Sequence, residues 1–259
     1  MRHDYPILEH DPERSAVIEP HHARAANVTL PKRAVVCFFR EVIAAVCADK
    51  HAVALHLESE MGLLPVYIVR APQIDGGEPF AVMQGAVGAP LAAGFLEELI
   101  ANGVTDIIAC GGAGALDAAL TVGHVVIPTG AVRDEGTSYH YLPPTRTVTP
   151  HPAGVAAIKA VLDRHQIPHV EGLTWTTDAL YRETPAKVAL RRAEGCITVE
   201  MEAAAFFAVA QFRGVRLAQL LYAGDDVSGE TWDRRDWIKS QASVREKLFW
   251  LAAEAACAL

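Results

Sequence analysis

The sequence predicts an α/β protein in three layers, a central mixed β-sheet flanked by helices. Three observations predict it. Through the second half, short apolar runs of strand length alternate with longer helical stretches, which is the pattern of a layered α/β fold. The first half is richer in strands joined by Gly- and Pro-containing turns, so the sheet is expected to be mixed rather than purely parallel. The chain has 259 residues, 51% hydrophobic and 21% charged, enough to fill one large core. It carries no internal repeat, low-complexity tract or evident linker. Residues 1–33 are therefore read as an N-terminal arm and residues 34–259 as a single domain.

The arm is rich in His, Pro, Arg and Glu and has no clear period. "AVVCFF" (34–39) suits a buried strand, and "REVIAAVCADK" (40–50) reads as the helix after it. "AVALHL" (52–57), "LPVYIVR" (64–70) and "EPFAVMQG" (78–85) are strand-like. "APLAAGFLEELIANG" (89–103) is a helix entered at Pro90 and ended at Asn102-Gly103. "VTDIIAC" (104–110) is a buried strand, and "GGAGAL" (111–116) is expected to be the turn after it. "GHVVIP" (123–128) is a strand, and 129–151 a polar loop. A helix over 152–166, a strand over 169–177, a short helix near 185–194 and the strand "CITVE" (196–200) follow. A helix from Met201, the strand "VRLAQLLYA" (215–223) and a final amphipathic helix over roughly 233–257 complete the chain.

The formal net charge is −8, with no dense Lys/Arg cluster, which argues against nucleic acid or an anionic membrane as the main partner. Cys37, Cys47, Cys110, Cys196 and Cys257 form no C-x-x-C pair and read as free thiols in a reducing compartment. The N-terminus lacks the apolar core of a signal peptide, and no apolar run reaches membrane-spanning length, so a cytoplasmic location is expected.

The notable motifs all follow predicted strands, where open α/β sheets place their ligands. "GAVGAP" (85–90) lets backbone amides approach an anion at a helix start, with Gly88 at the turn; the same residues also make a plain strand–helix turn. "EMEAAA" places Glu200, Met201 and Glu202 at the head of a helix that continues with three alanines and two phenylalanines. On an exposed helix such carboxylates would only complement the dipole. At the head of a buried one they need partners, and neighbouring diol hydroxyls would serve. "YAGDDVSG" (222–229) ends an apolar strand with two aspartates, which suit either a turn or a general acid raised by burial and like charge. "VRDEGTSYHYLPP" (132–144) is dense in hydrogen-bonding groups, including Arg133 and His140. Trp175, just before Thr176 and Thr177, is either a core tryptophan or a stacking surface for a planar ligand.

Taken together, from about Ala34 to Ser228, these residues resemble the purine/uridine nucleoside phosphorylase family, which also contains nucleosidases. "VEMEAAAFFAVAQFRGV" followed by "LLYAGDD" carries the resemblance most specifically; "VRDEGTSYHYLPP", "TWTTDALY" and "AVGAP" add to it. The resemblance implies that Glu202 holds the ribose 2′- and 3′-hydroxyls, that Met201 packs against the sugar, and that Trp175 lies beside the base. Thr177, His140 and Glu200 join the substrate-binding set, although Glu200 reads more readily as a local cap or pair. Asp225 matches the aspartate that protonates a leaving purine, so the base is expected to be a purine rather than uracil. Arg40, Gly88, Gly112 and Arg133 are the candidates for holding phosphate.

Two departures stand out. The family's Gly-Asp-Pro-x-Arg phosphate loop is present only in Arg40, preceded by Phe38-Phe39; "HDPER" (10–14) looks like that loop but lies too far upstream. The family's phosphate-holding arginine and hydroxyl are replaced by Ala109 and Gly112. The expected function is phosphorolysis of a purine or uridine-type nucleoside to free base and pentose 1-phosphate. Inorganic phosphate is the co-substrate, with no cofactor and no metal. Hydrolysis by water is the alternative, and a non-catalytic nucleoside-binding protein is a third. The resemblance also implies a homo-oligomer, in which His3, His10, His21 or His22 reaches a neighbour's ribose.

Overall fold

The computed structural model describes residues 2–26, 28–47, 52–229, 231–235 and 242–259. In chain order it runs β1 (Arg33–Cys37), α1 (Arg40–Val46), β2 (Val53–Ser59), β3 (Gly62–Val69), β4 (Phe80–Gln84) and α2 (Ala89–Ala101). Then come β5 (Asp106–Ala115), β6 (Val125–Asp134), β7 (Thr147–Val148), α3 (Pro152–Arg164), β8 (His169–Thr177) and α4 (Pro185–Ala193). β9 (Cys196–Glu200), α5 (Ala203–Arg213), β10 (Arg216–Asp226) and α6 (Ala242–Cys257) follow.

The strands form one mixed sheet. One wing runs β2-β3-β4-β1-β5, antiparallel from β2 to β4 and parallel through β1 and β5. β5 is the strand on which the architecture turns. One edge pairs with β10 along nearly its whole length. Its other edge pairs with β1 as far as Cys110 and then, from Gly114, with β9. β9 continues to β8, β8 to β6, and β6 returns to β10 through Val125 and Val126. Five strands thus close into a ring, and closure removes open edges from that half of the sheet.

Helices cover both faces. α1, α3 and α6 pack on one side around Val35, Ile108, Leu220 and Phe249. α2 and α5 pack on the other around Val36, Ile107, Leu96 and Phe206. α5 is buried from Ala203 through Ala210, which is why its sequence is apolar all round rather than amphipathic. It ends at Gly214, whose φ of 74° is the left-handed stop that glycine adopts without strain.

Four elements differ from the sequence expectation. "GGAGAL" is not a turn, because β5 continues through it to Ala115. The glycines there serve close packing: a Cβ on Gly111 would lie 3.0 Å from Phe38 Cδ2, and one on Gly114 3.0 Å from Val199 Cγ1. Residues 129–134, expected as loop, extend β6, with a register shift at Pro128/Gly130 that accommodates the proline. The helix expected from Met201 begins at Ala203, leaving Glu202 as its N-cap. Of the expected final helix, Asp233 instead bridges Asp226, residues 236–241 lie outside the described set, and α6 begins at Ala242.

Candidate active site

β9 delivers Glu200 to the head of α5, and β8 lies beside it with Thr176 paired to Glu200. Glu200 Oε2 accepts the amides of Glu202 and Ala203 at 2.7 and 2.6 Å. Its Oε1 accepts the Thr176 hydroxyl at 2.6 Å, and the Thr176 oxygen in turn accepts the Ala204 amide at 3.0 Å. The first amides of a helix have no intrahelical partners, and here three are met by two side chains. Glu200 is therefore an internal cap with both oxygens engaged. That is the local capping read for it from the sequence, and not the substrate-binding role it was also given.

Glu202 is equally buried, at 6% exposure, and is held differently. Its Oε1 accepts the amide of Gly88 at 2.6 Å, across from the start of α2. Burial raises the Glu202 pKa, the charge of Glu200 adds to the rise, and the Gly88 and Met201 amides oppose it. Burial also raises Glu200, against its Thr176 and amide bonds, with Glu135 adding to the rise. Glu135 caps the turn at Thr137 and Ser138 by accepting their amides at 2.7 and 2.9 Å. The head of α5 is thus a dry, carboxylate-rich pole. A buried carboxylate oriented there by the Gly88 amide is suited to accept hydrogen bonds from a polyhydroxylated ligand.

Asp225 lies at the end of β10. Its Oδ1 is 3.7 Å from where a Cβ on Gly114 would stand, and Gly114 pairs with Val199, the neighbour of Glu200. Its Oδ2 accepts the indole N–H of Trp232 at 2.6 Å. Glu183, after the turn Leu180–Arg182, is close enough to feel this charge. Burial first, then Asp225, lifts the Glu183 carboxyl to about 7. Asp226 faces a different set, an ion pair with Arg235 and the Ser228 amide.

Several residues nominated from the sequence stand elsewhere. Trp175 is fully buried, donates to Asp134 at 3.0 Å, and lies under the cations of Lys187 and Arg191, so it is a core pillar and not a base platform. Arg133 is 4% exposed. Four of its N–H donors go to Ser138, Leu142, Pro143 and Thr145, and its guanidinium stacks on Tyr139. The Gly88 amide is committed to Glu202. Gly112 backs onto the Tyr222 ring, 3.2 Å from its would-be Cβ. Thr177 is buried and accepts the Ala179 amide. His140 is exposed and lines a groove of about 640 Å³ formed with the arm, α2 and α5. Met201 is half-buried beside Glu202, and Arg40 is exposed at the first residue of α1. His3, His21 and His22 are exposed, whereas His10 Nδ1 is enclosed without a hydrogen-bond partner among the described residues.

Sequence reasoning missed Thr176, Glu135, Glu183 and Trp232. Thr176 had a readable signal, since it sits at a strand end next to a residue already singled out. Glu183 and Trp232 had none, because only the fold brings 183 and 232 to 225.

Fold and site together define a mixed α/β protein with buried carboxylates gathered at its strand ends. Residues 32–256 match the family model described as the phosphorylase superfamily. The chain belongs to that superfamily. It is 33% identical to a guanosine phosphorylase from Halorubrum lacusprofundi over 67% of this chain and 68% of that protein. It is also 33% identical to a uridine phosphorylase from Treponema pallidum, over 55% of this chain and 60% of that one. Among solved structures, purine nucleoside phosphorylase from Toxoplasma gondii, in complex with immucillin-H, superposes with a TM-score of 0.74 at 20% identity, covering 91% and 97% of the two chains. Uridine phosphorylase from Vibrio fischeri gives 0.71 at 22% identity, covering 89% and 93%. These likenesses agree on the fold.

Proposed function

We propose that this protein is a nucleoside phosphorylase, cleaving the N-glycosidic bond of a purine nucleoside with inorganic phosphate to give free base and pentose 1-phosphate. The single observation that carries this reading is the burial of Glu202 at the head of α5, oriented by the Gly88 amide. Cleavage of an N-glycoside builds positive charge on the sugar in an oxocarbenium-like transition state. A desolvated carboxylate gripping the 2′- and 3′-hydroxyls polarises them toward that charge and stabilises it more than it stabilises the ground state. Asp225, at the neighbouring strand end, supplies a proton to the departing base, a contribution of roughly 10²–10⁴-fold. The nucleophile attacks C1′ from the opposite face. No cofactor takes part, and the protein acts in the cytoplasm as a homo-oligomer. The guanosine and uridine phosphorylase relatives support the reaction class.

A second reading, hydrolysis by water, is favoured by one group of observations. Ala109 and Gly112 offer no polar side chain to phosphate, Arg133 spends most of its donors on its own loop, and the Phe38 ring lies against Gly85 and Gly111. A panel of nucleosides, assayed with and without phosphate and resolving pentose 1-phosphate from free pentose, separates the two. Phosphate-dependent release of base supports phosphorolysis. Equal release without phosphate replaces it with hydrolysis, and binding without product overturns both.

A further inference from the structure

Trp232 presents an aromatic ring beside the carboxylate at the end of β10. Its indole N–H donates to Asp225 Oδ2 at 2.6 Å, yet the residue is 59% exposed. The Arg234 guanidinium lies over the ring, 5.4 Å from its centroid, so one face is covered. A large ring left in water forgoes the burial that would stabilise it, and a tethered one also loses rotamer freedom. This indole is neither buried nor free to swing.

The segment that carries it is fastened to the strand ends. Val227 donates its amide to the Ala115 carbonyl at 3.0 Å, and its side chain packs against the cluster of Leu116, Val132 and Val199. Asp226 and Asp233 exchange backbone hydrogen bonds at 2.8 and 3.0 Å. Arg235 donates to the Leu120 carbonyl and pairs with the Asp226 carboxylate, and Arg192 donates to the Ser228 carbonyl at 3.4 Å. The bond to Trp232 uses Asp225 Oδ2 and leaves Oδ1, which stands 3.7 Å from where a Cβ on Gly114 would be. Gly114 pairs with Val199, the neighbour of Glu200. Two flat rings that each donate to one oxygen of a single carboxylate can lie side by side, within the ~4.5–7 Å centroid separation that aromatic pairs prefer.

We propose that Trp232 is the stacking surface for the base and selects a bicyclic purine over uracil: a purine with a ring N–H on Asp225 Oδ1 lies against the open face of the indole. This deepens the nucleoside-cleaving reading above and rests on it. Trp232 takes the place that Trp175 leaves empty, since Trp175 is locked in the core by Asp134. The larger π surface of a purine gains more from such a contact than a single pyrimidine ring does.

The test titrates the protein with hypoxanthine and with uracil, following tryptophan emission, and measures each base as an inhibitor of inosine cleavage. Hypoxanthine is expected to quench the parent's emission and to bind about tenfold more tightly than uracil. Trp232→Ala, which removes the ring, should weaken hypoxanthine by about tenfold, the size of one base–aromatic stack, and leave uracil within about threefold. Trp232→Phe, which keeps a ring but not the N–H, should hold hypoxanthine within about threefold of the parent while losing the quench. Equal losses in the two variants would make Trp232 only a tether for Asp225, and unchanged affinity in Trp232→Ala would remove it from the site. Either result overturns the proposal and leaves the Glu202 reading standing. A parent that cleaves no purine nucleoside overturns the reading beneath it.

Discussion

Gly88 and Glu202 meet across 114 residues of sequence, the amide of the first donating to Oε1 of the second at 2.6 Å. One bond fastens the start of α2 to the head of α5, two helices that pack against each other on the same face of the sheet. It orients a buried carboxylate. It also explains why Gly88 has a φ of 95°, a conformation that turns its N–H toward α5 and that side-chain-bearing residues adopt only with strain.

Glu202→Ala is expected to fold and to lose nucleoside cleavage by about 10²–10³-fold in kcat/KM, the size seen when a preorganised transition-state group is removed. Circular dichroism and steady-state kinetics on the same preparation check it. Activity within threefold of the parent would remove Glu202 from the site.

The same residue predicts a pH dependence of stability. The Glu202 pKa is raised in the folded protein, so between its ordinary value of 4.5 and that raised value the folded state binds more protons than the unfolded one. Stability from this group is therefore greatest at low pH and falls as pH rises. Glu202→Gln removes the titration. Its melting temperature is expected to match the parent near pH 5 and to exceed it by a growing margin toward pH 8, as scanning calorimetry across that range would show. A margin that shrinks with pH contradicts the sign.

Glu200 predicts the opposite outcome from a neighbouring position. Glu200→Ala frees two helix amides and the Thr176 hydroxyl in a buried setting, at a cost of about 2–4 kcal/mol. Urea denaturation near pH 5 should show the loss, and because burial raises the Glu200 pKa the loss shrinks as pH rises. A variant as stable as the parent would mean that water or another side chain takes over the cap.

Arg133→Ala is expected to lower stability by about 2–3 kcal/mol, because it strips donors from the carbonyls of Leu142 and Pro143 and from Thr145. The apparent KM for phosphate should stay within twofold. A large rise in that KM with unchanged stability would restore a phosphate role to this arginine.

Much of this architecture was legible in the sequence because each signal was local. "HVEGLTWTT" and "CITVE" form strands over the very spans their alternating and apolar patterns indicate, and α5 is buried as its run of alanine and phenylalanine implies. The failures came where a long-range contact overrides a local cue. Gly111, Gly112 and Gly114 look like a turn, yet they continue β5 because Phe38, Tyr222 and Val199 crowd against their backbones. Residues 129–134 look polar enough for a loop, yet β7 and β8 pair with them and complete the sheet. The burial of Glu202 was readable because it heads a run of alanine and phenylalanine. For Trp175 the core and stacking readings stayed open, because nothing local reveals that Asp134, Lys187 and Arg191 surround it.

Phe38 rests on two glycines from different strands: a methyl on Gly85 would stand 2.7 Å from its ring, and one on Gly111 3.0 Å. These three positions consequently cannot drift apart over generations. A side chain gained at 85 or 111 evicts the ring, and a smaller residue at 38 leaves both backbones facing a void, so relatives that replace one of the three are expected to have replaced the others as well.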